Sequence, residues 1–236
     1  MTATNRASLI GGALALIAGA LLACTQAQAQ MPGVAVHLPV SSATLPVVAP
    51  SNPPAYVADL TTPAAMNAFN AQWRNMDAWI TEVPAMPGAP APWKKSFDLE
   101  PKAGPADFND SAWPVIEPKG LTDHRGGGYM YMTWFRTTLT VPAKIGDFDP
   151  SGARAALNIT VDDYAEVWIN GQLPRAVGRP SPATIQGFNM PNRVMLSESL
   201  KPGDKFQIAI LAINGSLSSP PANAVFFRGA EVDFYK

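Results

Sequence analysis

From Trp93 to the end of the chain, apolar and polar residues alternate in short runs separated by Gly, Pro, Asn and Asp. A period of two marks strands with one face buried. The pattern predicts strands over Lys94–Asp98, Tyr129–Val141, Ala155–Val161, Tyr164–Ile169, Arg193–Leu196, Phe206–Ile213 and Val225–Tyr235. Short strands at this spacing predict an all-β, antiparallel β-sandwich. Asn170-Gly171, between Trp168-Ile169 and Gln172-Leu173, is a hairpin signal because both residues tolerate positive φ. Lys201-Pro202-Gly203-Asp204 is a second turn. No strand–helix–strand alternation supports a dinucleotide fold. Gly126-Gly127-Gly128 is not followed by a helical pattern, so it reads as loop and not as a phosphate cradle.

Alternation also assigns faces. Leu157, Ile159, Val161, Val167, Ile169, Val232 and Phe234 are the expected core. The opposite faces carry Met130, Met132, Trp134 and Arg136 on one strand and Tyr164, Glu166 and Trp168 on another. Aromatics beside charges suit a saccharide, whose C–H face stacks on an indole while Arg and Glu hold its hydroxyls. The candidate site is therefore Trp134, Arg136, Glu166 and Trp168, with nearby loops holding His124, Arg125, Arg175 and Arg179. The competing reading packs both tryptophans under a loop and pairs Arg136 with Glu166.

Upstream the pattern changes. Thr61-Thr62-Pro63 is a helix start, and Met66, Phe69, Trp73 and Met76 recur at helical steps. Trp79–Val83 reads as a strand stopped by Pro84. Residues 31–54 hold six prolines and should be an extended tether. At the N-terminus, Arg6 precedes an uncharged apolar run from Leu9 to Ala23, shorter than the ~20 residues that span a bilayer. This is the pattern of a secretory signal. Ala27-Gln28-Ala29 offers cleavage before Gln30, and Leu21-Leu22-Ala23-Cys24 offers a lipoprotein alternative with Cys24 acylated. The expected organisation is a signal peptide over 1–29 (1–23 for a lipoprotein), a tether over 30–55, a helix-and-strand extension over 56–92 and the sandwich over 93–236.

Composition narrows the chemistry. The 236 residues carry formal net charge −1, and only 15% are charged, against about 25% in an ordinary globular chain. That lacks the basic footprint of a nucleic-acid binder. Two His and one Cys leave no set for a zinc site or a cysteine protease. A Ser-His-Asp triad would need His124, because His37 lies in the tether, and Asp123 is its sequence neighbour. Glu82, Glu100, Glu117, Glu166, Glu198 and Glu231 form no acid/base motif. No cofactor is expected. Asp107, Asp110 and Asp162-Asp163 read as turn formers, with a structural Ca²⁺ as the alternative.

Three segments carry a family resemblance: Phe108-Asn109-Asp110-Ser111-Ala112-Trp113-Pro114-Val115, then Trp134-Phe135-Arg136 before Val141-Pro142, then Ala165-Glu166-Val167-Trp168-Ile169-Asn170-Gly171. Together they resemble the jelly-roll sugar-binding domain of family-two glycoside hydrolases, within the galactose-binding-domain-like superfamily. Gln72-Trp73-Arg74, Lys102-Ala103-Gly104, Val161–Trp168, Gly187–Val194 and Val232–Lys236 resemble the N-terminal accessory region of secreted bacterial gluconolactonase-type proteins. The resemblances imply a jelly roll with a short N-terminal helical extension, and no catalytic residue carries over from them. The expected protein is an exported, non-catalytic carbohydrate-binding or accessory module, periplasmic or extracellular. Its expected partners are a saccharide or glycan and a partner enzyme, with the membrane reached only through a lipid anchor at Cys24. A structural or protein-interaction sandwich is the alternative, and a small lactone or glycoside hydrolase is another.

Overall fold

The computed structural model describes residues 50, 52–84, 96–123, 130–173, 190–215 and 225–236. The signal and most of the tether lie outside the described residues, as do Gly126–Gly128, His124, Arg125, Arg175 and Arg179. Among the described residues ten strands form two antiparallel sheets. β1 (Tyr56–Asp59), β10 (Phe226–Tyr235), β6 (Arg154–Asp162) and β8 (Asn192–Ser197) make one, in that order. The other runs β3 (Ser96–Glu100), β2 (Trp73–Val83), β5 (Met130–Thr140), β9 (Lys205–Gly215) and β7 (Tyr164–Ile169), with β4 (Val115–Ile116) beside β2. From β5 to β10 each successive strand lies in the sheet opposite to the last. That alternation is a jelly roll, and it arises because each strand has one apolar face to bury against the facing sheet.

All seven expected core residues lie between the sheets, and none exceeds 8% exposure. Phe69, Trp73, Phe135 and Phe227 join them. The expected turns form with the chemistry their residues supply. Asn170 and Gly171 take φ of 51° and 76°, and Ile169 and Gln172 exchange both backbone hydrogen bonds across them. Gly203 takes φ of 91° after Pro202.

One expectation fails for a local reason. The helical stripe from Met66 to Met76 is broken. α1 covers only Pro63–Ala68, capped by the Thr62 hydroxyl on the Ala65 N–H. Asn70 turns the chain at φ 48°, and β2 begins at Trp73. In a strand, residues three apart face opposite ways. Trp73 accordingly enters the main core and Met76 the outer face. The segment 56–83 also pairs into both sheets. β1 pairs with β10 and β2 with β5, so both sheets need it.

Candidate functional site

The outer face of the six-stranded sheet is covered. The connection after β3 crosses it, bringing Ala103, Phe108 and Trp113 against Trp134, Leu211, Met132 and Trp168. Trp134 is 2% exposed, and its indole Nε1 donates to the Pro101 carbonyl at 2.8 Å. Gly104 passes so close to Trp168 that a Cβ there would meet the indole at 2.8 Å. Phe108 tilts against Trp113 at 5.3 Å between centroids.

Arg136 is 1% exposed beneath the same crossing. Its Nε donates to Asp110 Oδ2 at 2.9 Å. Its Nη1 donates to the Ala103 carbonyl and, at 3.3 Å, to that of Pro105, and its Nη2 donates to Phe108 O at 3.3 Å. The guanidinium also lies 5.3 Å over the Phe108 ring. A buried cation persists only when its donors are met in this way. The partner of Arg136 is thus Asp110, not Glu166. The three family-like segments meet in this cluster: Phe108, Asp110 and Trp113 from the first, Trp134 and Arg136 from the second, Trp168 from the third.

Glu166 is half-buried on edge strand β7, and burial pushes its carboxyl above the usual range. The Trp168 N–H offsets part of that rise but makes no hydrogen bond of good geometry. Of the eight expected site residues, four are described, and they share one face. Trp134 and Arg136 cannot be stacking surfaces there, because the crossing occupies the space a sugar would need.

Open space lies at the border of this face. The Phe69 carbonyl accepts from Thr140, while Arg74 sits opposite Arg136. Between those two points the chain swings away from β5 through Asn70, Ala71 and Gln72. The resulting cleft of about 210 Å³ is walled by these residues, floored by Thr137 and Thr138, and closed by Arg74, Asp110 and Arg136. A second hollow of about 360 Å³ beside it is lined by Asn67, Asn70, Ala71 and Gln72. Arg74 Nη1 donates to the carbonyls of Ser111 at 3.2 Å and Trp113 at 2.7 Å, which aims the guanidinium along the cleft's edge. Its Nε is 4.0 Å from Asp110 Oδ1. The buried Thr137 hydroxyl has no hydrogen-bond partner among the described residues. Chemically the cleft offers the side-chain amides of Asn70 and Gln72, which donate and accept, the Thr138 hydroxyl and the Arg74 guanidinium, while Arg136 is committed to Asp110 and carbonyls. Strand periodicity could not announce it, since a departure from pairing makes it. Gln72-Trp73-Arg74, noticed only as a resemblance, was the available signal.

Two of the aspartates expected as turn formers sit in turns: Asp107 lies between Pro105 and Phe108, whose backbones are hydrogen-bonded at 3.3 Å, and the Asp110 carbonyl accepts the Trp113 N–H at 2.9 Å. Asp110 holds Arg136, and Asp162 accepts from Arg228 at 2.7 Å. Asp163 accepts the Gly215 N–H at 3.3 Å, and burial next to Asp162 raises its carboxyl. Among the described residues no three acidic, His or Cys side chains converge to hold a metal ion.

No family model matches the chain, and no curated protein matches it. Solved structures give distant, partial likenesses. One is a glycosyl hydrolase family 2 member from Bacteroides cellulosilyticus, with TM-score 0.39 and 13% identity over 70% of this chain and 20% of that one. Another is a calcium-binding mutant of Bacteroides uniformis beta-glucuronidase 2, with TM-score 0.38 and 15% identity over 70% and 18%. A third, an uncultured Clostridium sp. beta-glucuronidase, has TM-score 0.27 and 12% identity over 70% and 29%. The chain spans less than a third of the length of each.

Proposed function

We propose that the protein is an exported, non-catalytic carbohydrate-binding or accessory module. Its saccharide lies in the cleft between the Asn70–Gln72 bend and β5. One observation carries this reading: the cleft gathers Asn70, Gln72, Arg74, Asp110, Arg136 and Thr138 on the rigid border of a jelly roll. Amides and a hydroxyl that both donate and accept suit the hydroxyls of a sugar, and the Arg74 guanidinium adds charge-assisted donors. A cleft lacking an aromatic floor predicts modest affinity. The accessory role beside a lactonase, and export with or without a lipid on Cys24, belong to the same proposal.

A glycan array and calorimetry on the mature protein test it. Binding of a saccharide family, weakened about tenfold by Gln72→Ala, is the expected result. An array with no saccharide bound, or hydrolysis of a glycoside or lactone by the purified protein, would sink it.

The protein-interaction alternative has its own support. Ile80 and Phe97 share one face of the paired strands β2 and β3 and are 53% and 61% exposed, and neighbouring exposed apolar residues are typical of contact surfaces. Under that reading Phe97→Ser abolishes capture of a protein partner while glycan binding is nil throughout.

A further inference from the structure

We infer that the saccharide held by the cleft is negatively charged, bearing a carboxylate or a sulfate, and that Arg74 recognises it. This rests on the carbohydrate reading above. Of the residues lining the cleft, Arg74 and Arg136 are cations and Asp110 is the single anion. The lining therefore has a formal charge of +1. Asp110 is committed to Arg136 at 2.9 Å and lies 4.0 Å from Arg74. Arg136 spends its donors on Asp110 and three carbonyls.

Arg74 differs. Only its Nη1 donates to carbonyls, and its Nη2 has no hydrogen-bond partner among the described residues. Its side chain is 21% exposed. It is a partly desolvated cation, held in place from behind by Ser111 and Trp113, with donors to spare. A neutral sugar would leave the excess charge uncompensated, while an anionic one neutralises it. A guanidinium meets a carboxylate or sulfate oxyanion with charge on both partners and can pair with it through two N–H donors at once, which a neutral hydroxyl does not offer.

The test compares one uronate-containing oligosaccharide with its carboxyl-reduced counterpart and with a sulfated neutral oligosaccharide, all by calorimetry on the wild-type protein. The acidic ligand should bind about tenfold tighter than the reduced one at low salt. The gap should close near 1 M salt, where the screening length is about 3 Å. Tighter binding in the carboxylate or the sulfate arm identifies which anion is used. Arg74→Gln should erase the gap by weakening the acidic ligand far more than the reduced one. If that variant fails to fold, the wild-type comparison and its salt dependence still decide. Binding of the reduced ligand as tight as that of both the uronate and the sulfated ligand overturns this inference and leaves the carbohydrate reading standing. Absence of binding by all three overturns both.

Discussion

The two sheets share one core but differ on their outer faces. On the six-stranded sheet, β9 is buried without a break from Ile208 to Ala212, because the crossing covers the side that the facing sheet does not. On the four-stranded sheet, β6 and β10 alternate. Leu157, Ile159, Val232 and Phe234 point in, while Asn158, Thr160, Glu231 and Asp233 stay half-exposed. One face is a second small core, and the other is a charged surface. The difference lies in the strands' sequences: Ile-Ala-Ile-Leu-Ala is the apolar run of a strand buried twice, and Val-Asp-Phe is that of a strand buried once. Aromatics on a strand's second face therefore signal a cover before they signal a ligand.

Removing the cover's anchor should break that contrast most. Trp134→Ala empties the second core and orphans the Pro101 carbonyl, and should cost about 3–5 kcal/mol in denaturant melts. A loss under about 1 kcal/mol would mean the crossing is loosely held. Asp110→Asn leaves the Arg136 charge buried without a counter-ion and should cost about 3 kcal/mol, measured the same way. Its partner change, Arg136→Met, should restore part of that loss when combined with it. Gly104→Ala forces a Cβ toward the Trp168 indole and should cost about 1–3 kcal/mol. Retained stability there would show that the crossing can lift.

The smallest effect sharpens the other side of the comparison. Glu231 is raised by burial first and then by Asp59, which sits directly across the ladder, and by Asp233. A carboxyl raised in the folded state binds its proton more tightly than in the unfolded chain. Its favourable contribution is therefore present below the ordinary Glu value and lost as pH rises through the raised one. Glu231→Gln should flatten that fall and stabilise the protein at neutral pH by under ~1 kcal/mol, since the group is half-exposed. Melting curves across that acidic window would show it, and an unchanged slope would assign the fall elsewhere.

Period-two alternation made the strands from β5 to β10 legible, and Asn170-Gly171 and Pro202-Gly203 made two turns legible. β1 escaped because four residues, Tyr56–Asp59, are too few to show a period beside a Pro-rich run. The length of β2 was hidden because Trp73 and Met76 also fit helical spacing, and only the turn at Asn70 decides between the two. At the site, sequence reading brought Trp134, Arg136 and Trp168 correctly onto one face. It could not see the crossing that covers them, because Ala103, Gly104 and Phe108 carry no periodicity of their own. Nor could it find the cleft, where Gln72 and Arg74 meet Thr138 from 64 residues and more along the chain, through a lapse in pairing.

The pairing of Tyr56 with Phe234 has a mechanical consequence. Both ends of the described domain leave from the same corner, on neighbouring antiparallel strands. Tension applied through the two ends loads the β1–β10 ladder one bond at a time, as in opening a zipper, and does not shear all its bonds together. Stretched in a force spectrometer, the domain should peel β1 away at low force before the sandwich gives. A tether pulled from the N-terminal side alone would leave the ladder unloaded.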